Sequence, residues 1–283
     1  MPHKIIAAEW LAPAVKRLVV EAPHVVRHCE PGQFVIVRPT GDSERIPLTV
    51  AHVDRAGGSI TLIIQAVGAT STKLCNFEAG QTMSDVAGPL GKPTEIEAVG
   101  HAVIVGGGVG TAVIYPQAPA LKKLGNRVTA IIGGRSKQYV ILENELRGIC
   151  DEVLPCTDDG SYGFKGFVTQ RLKQLIDETQ NTDRKIGVVI CAGPVPMMRA
   201  VAETTRPLAI HTIASLNPIM VDGTGMCGGC RVQVEGKSLF ACVDGPEFDA
   251  HKVDFAELSD RLTAYREMEK VAMERHTCKL SQC

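Results

Sequence analysis

The chain has 283 residues, with 30 Lys and Arg against 31 Asp and Glu and a net charge of −1. That length suffices for two domains and a small module, while near neutrality, with no basic stripe and no aromatic-interleaved basic segment, argues against a nucleic-acid partner. No run of about eighteen apolar residues is present, so no membrane span is expected, and Met1-Pro2-His3-Lys4-Ile5-Ile6 lacks a secretory core and cleavage site. The ten cysteines are scattered, with one local cluster. This fits a reducing compartment in which thiols serve metal and core packing, so the chain reads as cytoplasmic, with Cys29, Cys75, Cys150 and Cys156 as buried small hydrophobes or inert thiols.

Residues 1–98 read as an antiparallel β-barrel. Leu18-Val19-Val20, Phe34-Val35-Ile36-Val37 and Ile60-Thr61-Leu62-Ile63-Ile64 are short, mostly β-branched runs, punctuated by Pro31-Gly32, Gly41-Asp42 and Gly57-Gly58. Arg45-Ile46-Pro47-Leu48-Thr49 sets a fork-shaped cation four residues before a hydroxyl. Arg suits a phosphate, and Thr49, through its hydroxyl or backbone N–H, can reach a flavin edge, which makes it the candidate catalytic residue. Gly68-Ala69-Thr70-Ser71-Thr72 offers a second phosphate-binding turn with hydroxyl donors.

Residues 99–215 change to buried strand, glycine turn, helix and strand, the pattern of a parallel α/β sheet. His101–Val105, Val128–Ile132 and Lys185–Cys191 are the expected strands, and Pro116–Leu124 reads as a helix. Gly106-Gly107-Gly108-Val109-Gly110-Thr111 follows a strand and opens a helix, where backbone N–H groups can meet a pyrophosphate. Thr111 breaks the strict GxGxxG form, and a turn used only for close packing gives the same pattern. A second small-residue turn, Ala192-Gly193-Pro194-Val195-Pro196-Met197, follows another buried strand, and both turns lie where open α/β sheets bind ligands. Thr157-Asp158-Asp159-Gly160 sits similarly after Glu152-Val153-Leu154 and also reads as a solvated loop. Arg135 and Lys137 suit a 2′-phosphate, while nearby Glu143 and Glu145 suit ribose hydroxyls.

In residues 216–252, Asp222-Gly-Thr-Gly-Met-Cys227-Gly-Gly-Cys230 is followed by Cys242. This spacing follows the C-x4-C-x2-C…C run of plant-type 2Fe–2S ferredoxins, with a carboxylate in the first position. Two irons need four anionic ligands; Cys227, Cys230 and Cys242 supply thiolates and Asp222 an oxygen. Asp-Gly is also a turn dipeptide, so Asp222 can instead hold the loop, and a zinc site on the same cysteines stands beside the cluster. Residues 253–283 read as a helical tail. Phe255, Leu258, Leu262, Tyr265 and Met268 form one apolar stripe from about 255 to 275, with Asp254 as N-cap and Glu257 in capping-box position. The stripe suits either the chain's own domain or a subunit contact. His276 and Cys278 read as part of a frayed terminus rather than a metal pair.

These pieces stand in the order of the ferredoxin–NADP reductase superfamily, which the chain resembles from about residue 5 to 205 through Arg45-x-Pro47-Leu48-Thr49, Gly88-Pro89-Leu90-Gly91, the Gly106 loop and Gly193-Pro194-x-x-Met197. The cysteine loop narrows the resemblance to its iron–sulfur flavoprotein subunits. These include the electron-transfer subunit of NAD-linked dihydroorotate dehydrogenase and the small subunit of NADH-dependent ferredoxin:NADP oxidoreductase, also called the sulfide dehydrogenase β subunit. Leu216-Asn217-Pro218-Ile219-Met220-Val221-Asp222-Gly223 looks like the second group, in which Asp is the expected ligand, whereas the dihydroorotate group carries Cys there.

The resemblance implies FAD at Arg45, Pro47, Leu48 and Thr49, with its pyrophosphate at Gly68, Ser71 and Thr72. It implies NAD(H) at Gly106, Gly107, Gly108, Gly110, Asp158, Gly193, Pro194 and Met197, and a 2Fe–2S cluster on Asp222, Cys227, Cys230 and Cys242. Hydride would pass between NAD(H) and FAD, and single electrons between FAD and the cluster. A larger flavin and 4Fe–4S partner, electron-bifurcating and reacting with ferredoxin and NADP(H), would complete the enzyme. Electron transfer in a dihydroorotate or sulfur oxidoreductase is the related alternative, and a zinc-stabilised nucleotide-binding protein without redox activity is the distant one. Two departures are visible: Val113 stands where many relatives carry Pro, and Ala192 where many reductases carry Cys, which leaves Cys191 as a core residue.

Overall fold

The computed structural model describes residues 2–280, with side chains described for 2–274. His276, Cys278 and Cys283 therefore lie outside the described side chains. The first seven strands are β1 (His3–Ala12), β2 (Val15–Glu21), β3 (Phe34–Arg38), β4 (Ile46–Asp54), β5 (Ser59–Gln65), β6 (Thr82–Met83) and β7 (Asp85–Leu90). They form one antiparallel sheet in the order β6-β1-β2-β5-β4-β3-β7. Only Ser84 separates the two edge strands, so the sheet curls into a nearly closed barrel. Ile5, Leu18, Val20, Val35, Val37, Ile60, Leu62 and Ile64 fill it. Helix Ala69–Cys75 contributes Leu74 and Cys75 to the same core.

The second sheet contains β8 (His101–Gly107), β9 (Arg127–Gly134), β10 (Glu152–Thr157), β11 (Phe164–Lys165), β12 (Val188–Ala192) and β13 (His211–Ser215), all parallel. Its order is β11-β10-β9-β8-β12-β13, so the winding reverses between β8 and β12. These two strands are buried almost throughout, as a sheet covered on both faces requires. Helices Gly110–Ile114, Gln117–Lys123, Val168–Thr179 and Val195–Thr205 cover it. The expected helix at 116–124 is thus preceded by a separate short one.

After β13 the chain makes the cysteine loop and a hairpin, β14 (Arg231–Val234) and β15 (Lys237–Phe240), and then adds β16 (Glu247–Asp249) antiparallel to β13. The segment holding the cysteines is thereby stitched to the parallel sheet. A single core joins Phe34 and Ile36 of the barrel, Val103 and Val189 of the parallel sheet, and Cys230, Cys242, Phe255 and Leu258 of the C-terminal part.

Glu247 lies where these parts meet. Its Oε1 accepts from Thr94 Oγ1 at 3.1 Å and Gln117 Nε2 at 2.8 Å, while Lys92 N donates to the Gly245 carbonyl at 2.6 Å. Burial raises the Glu247 pKa. Its Oε2 and the Gln117 Oε1 are both buried without a partner. A proton on Glu247 removes the charge that burial makes costly.

The tail departs from a single helix. Helix Phe255–Arg261 ends at Leu262, and a second runs from Arg266 to Leu280. Asp254 caps the first, accepting from the Ala256 and Glu257 amides at 3.0 Å each. Thr263 Oγ1 donates back to the Asp260 carbonyl at 2.7 Å, a local bond that competes with the next helical turn. The apolar stripe consequently divides: Phe255 and Leu258 are buried and Leu262 packs against them, but Tyr265 and Met268 are exposed.

Candidate active site

β4 carries the residues expected to hold a flavin. Arg45 is exposed just before the strand, and Pro47, Leu48 and Thr49 are half-buried along it. Pro47 lies opposite Ile36 and Thr49 opposite Phe34 on β3. The loop before Arg45 is fastened to the helix that follows the Gly68 turn. Lys73 donates to Thr40 Oγ1 at 2.6 Å and Ser43 Oγ at 3.1 Å and pairs with Asp42 at 3.2 Å. The turn at Gly68 and the Arg45 segment are thus one assembly. Ser71 Oγ accepts from the Val67 and Gly68 amides at 3.1 and 2.9 Å, so this hydroxyl shapes its own turn. Thr72 is half-buried on the following helix.

The two small-residue turns after β8 and β12 meet at the point where the strand order reverses, the usual crevice of an open α/β sheet. Gly110 and Gly107 are needed for that meeting, and Gly106 and Gly193 for the tightness of each turn. A Cβ on Gly110 would stand 2.2 Å from the Ala192 carbonyl oxygen, and one on Gly107 would stand 2.4 Å from Met197 Sδ. A Cβ on Gly106 would stand 2.6 Å from Thr111 Cα, and one on Gly193 would stand 2.8 Å from Met197 Cε. Close packing therefore accounts for four of the glycines. Gly108 differs: at φ +56° with no atom within 4 Å of its Cβ position, it faces open space. Helix Gly110–Ile114 also packs on β4, so the crevice fronts the Arg45–Thr49 strand.

Asp158 is exposed past β10, two strands from that crevice. Near it the sequence candidates Lys137, Glu143 and Glu145 are engaged by partners that the sequence did not indicate. Tyr162 donates to Glu143 at 2.8 Å, Lys137 Nζ lies 5.2 Å from the Tyr162 ring, and the Lys137 amide donates to Ser161 at 2.9 Å. Glu143 is further paired with Arg147 at 2.6 Å, and Glu145 with Arg17 of the barrel. Neither carboxylate is left without a partner. The sequence offered these carboxylates and Lys137 for a nucleotide; for Ser161 and Tyr162 its only signal was a polar, glycine-punctuated loop.

In the cysteine loop, Asp222 folds onto its own turn. Its carboxylate accepts from the Thr224 and Cys227 amides at 2.9 Å each, and the Thr224 bond foremost holds its pKa below the usual value. Cys230 Sγ and Cys242 Sγ are buried 3.1 Å apart. Burial, with the Cys230 thiol adding, pushes Cys242 up to about 12. Cys227 is exposed, and its Sγ accepts from the Gly229 amide at 3.4 Å. Among the described residues no three Cys, His, Asp or Glu side chains converge into a formed cage.

The donor set nevertheless fits a 2Fe–2S cluster. A tetrahedral metal with bonds of about 2.3 Å holds two thiolates about 3.8 Å apart, so Cys230 and Cys242, 3.1 Å apart, need separate by less than an ångström to share one. Gly223, Gly225 and Gly228, at φ 76°, 85° and 66°, turn the loop around that pair. The loop is also seated on the barrel: a Cβ on Gly223 would meet Ile36 and Leu90 at 2.8 Å. Since Ile36 is the register partner of Pro47, the cysteine loop lies one strand from the Arg45–Thr49 strand. Cys191 is fully buried, and burial pushes its thiol up to about 12, as befits a core residue.

Residues 217–254 match the iron–sulfur cluster binding domain of dihydroorotate dehydrogenase B. The chain is 45% identical over 273 residues to the dihydroorotate dehydrogenase B (NAD(+)) electron transfer subunit homolog of Thermotoga maritima, covering 96% of this chain and 95% of that one. It is similar to a chain from the structure of NADH-dependent reduced ferredoxin-NADP oxidoreductase, described for flavin-based electron bifurcation, at 44% identity and a TM-score of 0.91 over 97% and 98% of the two chains. A ferredoxin NADP+ reductase from Neisseria gonorrhoeae, 15% identical with a TM-score of 0.59 over 74% and 91%, shares the fold. The fold is that of the ferredoxin–NADP reductases, and the chain belongs to the family of dihydroorotate dehydrogenase B electron transfer subunits and their homologues.

Proposed function

We propose that this chain is the NAD(H)-reacting subunit of a larger electron-transfer complex, holding FAD and a 2Fe–2S cluster, and that its partner is a larger flavin and 4Fe–4S subunit reacting with ferredoxin and NADP(H). The observation that carries this reading is the seating of the cysteine loop on Ile36, one strand from Pro47. Bound FAD supplies the exchange between paired electrons, as hydride with NAD(H), and single electrons. Arg45 grips a flavin phosphate, Pro47 and Leu48 form an apolar wall, and the Thr49 hydroxyl or amide meets the ring edge. Gly68, Ser71 and Thr72 shape the pyrophosphate turn. Gly106, Gly107, Gly108, Gly110, Gly193, Pro194 and Met197 let the nicotinamide nucleotide approach the flavin closely, and Asp158 borders its outer end. Asp222 would supply an oxygen, and Cys227, Cys230 and Cys242 thiolates, to hold the cluster. The cofactor sites divide the chain into a flavin barrel (1–98), a nucleotide domain (99–215), a cluster module (216–252) and a tail (253–283).

Electrons leave by the exposed Cys227 edge. Met226, Val221 and Val243 are 90%, 54% and 44% exposed, and Gly229 and Gly225 bring Val221 and Val243 against the loop. An apolar rim of this kind around a charged centre suits a protein partner that excludes water from the transfer path. No helix among the described residues is long and apolar enough to cross a membrane, and we assign the complex to the cytoplasm. The test is to isolate the native complex anaerobically and offer it NADH with ferredoxin and NADP+, or dihydroorotate. NADH-dependent ferredoxin and NADP+ turnover supports the proposal. Turnover of dihydroorotate alone transfers it to the related alternative.

A further inference from the structure

One charged group outside the ligand set reaches the cysteine loop. Arg261 ends helix Phe255–Arg261, and its Nη2 donates to the Gly229 carbonyl at 3.1 Å. Gly229 lies between Cys227 and Cys230, so the guanidinium touches the backbone joining two thiol ligands. Arg261 Nε is buried with no hydrogen-bond partner, 3.7 Å from Glu257 Oε1, and Glu257 Oε2 is likewise buried without one. The two side chains are 31% and 30% exposed, so the pair is only partly removed from water. Packing holds them there: Phe255 and Leu258 anchor the helix in the core that contains Cys230 and Cys242, and Asp254 caps its start.

We infer that Arg261 is a positioning residue for electron transfer, fixing the Gly229 carbonyl and setting a positive charge beside the loop that raises the reduction potential at Cys227 and Cys230, with Glu257 opposing it. This rests on the cluster reading above. Reduction adds one negative charge, and a nearby cation in a partly desolvated setting favours the more negative form. The ion pair gives opposite signs to its two halves, which a merely structural role does not.

The experiment is an EPR-monitored redox titration of the full chain and of Arg261→Gln, Arg261→Lys, Glu257→Gln and the double Arg261→Gln/Glu257→Gln variant. Iron, acid-labile sulfide and thermal midpoint are measured on each. Arg261→Gln should lower the potential, Glu257→Gln should raise it, the double variant should fall between them, and Arg261→Lys should stay nearer the parent than Arg261→Gln. Shifts of the same sign in the two single Gln variants, or none in either, overturn the inference. If Arg261→Gln loses iron, Glu257→Gln decides: an upward shift supports the inference and an unchanged potential overturns it. A parent chain holding zinc and no acid-labile sulfide overturns the cluster reading itself, and the inference with it.

Discussion

Gly110→Ala probes the tightest backbone approach in the nucleotide crevice. The added methyl would stand 2.2 Å from the Ala192 oxygen, 2.6 Å from its carbonyl carbon and 2.8 Å from Gly193 Cα, all main-chain atoms. Ordinary contact begins near 3.4 Å, so the Gly193 turn must retreat by about 1 Å. Overpacking of this kind costs about 1–3 kcal/mol. At about 2–4 °C per kcal/mol, the thermal midpoint falls measurably. A displacement of about 1 Å at a site that aligns two reacting rings costs about 100-fold in rate. Calorimetry together with anaerobic NADH:ferricyanide kinetics reads both effects. Gly108→Ala is the control: its methyl meets nothing, but φ +56° costs about 1–2 kcal/mol, and the methyl points to the open side. The expected signature is a collapse of kcat/KM for NADH in Gly110→Ala and a smaller change, carried in KM, in Gly108→Ala. Parental stability and NADH kinetics in Gly110→Ala would refute the close meeting of the two turns.

Three further outcomes follow from other parts of the molecule. Asp222→Cys exchanges a weakly donating oxygen for a thiolate and should lower the cluster potential in a redox titration; an unchanged or higher potential contradicts oxygen ligation. Burial raises the Glu247 pKa, so the folded state holds its proton more tightly than the unfolded chain. Its contribution to stability is fully present below the ordinary carboxylate range and is lost as pH rises through the raised value. Thermal midpoints should fall across that window in the parent, and Glu247→Gln should remove that part of the slope. Lys73→Met releases the loop at 40–43 and should increase FAD dissociation several-fold, followed by flavin fluorescence. Its effect on the thermal midpoint stays small because Asp42 is 76% exposed and such pairs contribute about 0–1 kcal/mol.

What was legible in the sequence was local. The apolar runs at Leu18, Phe34, Ile60, His101 and Val128 became β2, β3, β5, β8 and β9, because β-branched residues bounded by turn chemistry have few other uses. β1 was hidden, since Ala7-Ala8-Glu9 inside it carries no alternation, and β4 was masked by Pro47. Asp222 shows how two sequence readings can both have substance: it holds its loop through two amides while standing in the spacing of a ligand. The tail divides likewise, with Leu258 in the core and Met268 in solvent. Contacts between distant segments left no signal. Nothing near Lys73 announces its bond to Thr40, and nothing near Gly223 announces Ile36. Glu143 and Glu145 look free to meet a ribose until Tyr162, Arg147 and Arg17 are seen to engage them.

An anaerobic NADH titration of the purified chain, with visible absorption and EPR recorded together, tests the central claim most directly. Bleaching of the flavin bands followed by a 2Fe–2S signal is expected, which establishes the path from NADH through FAD to the cluster. A colourless, EPR-silent chain containing zinc contradicts it.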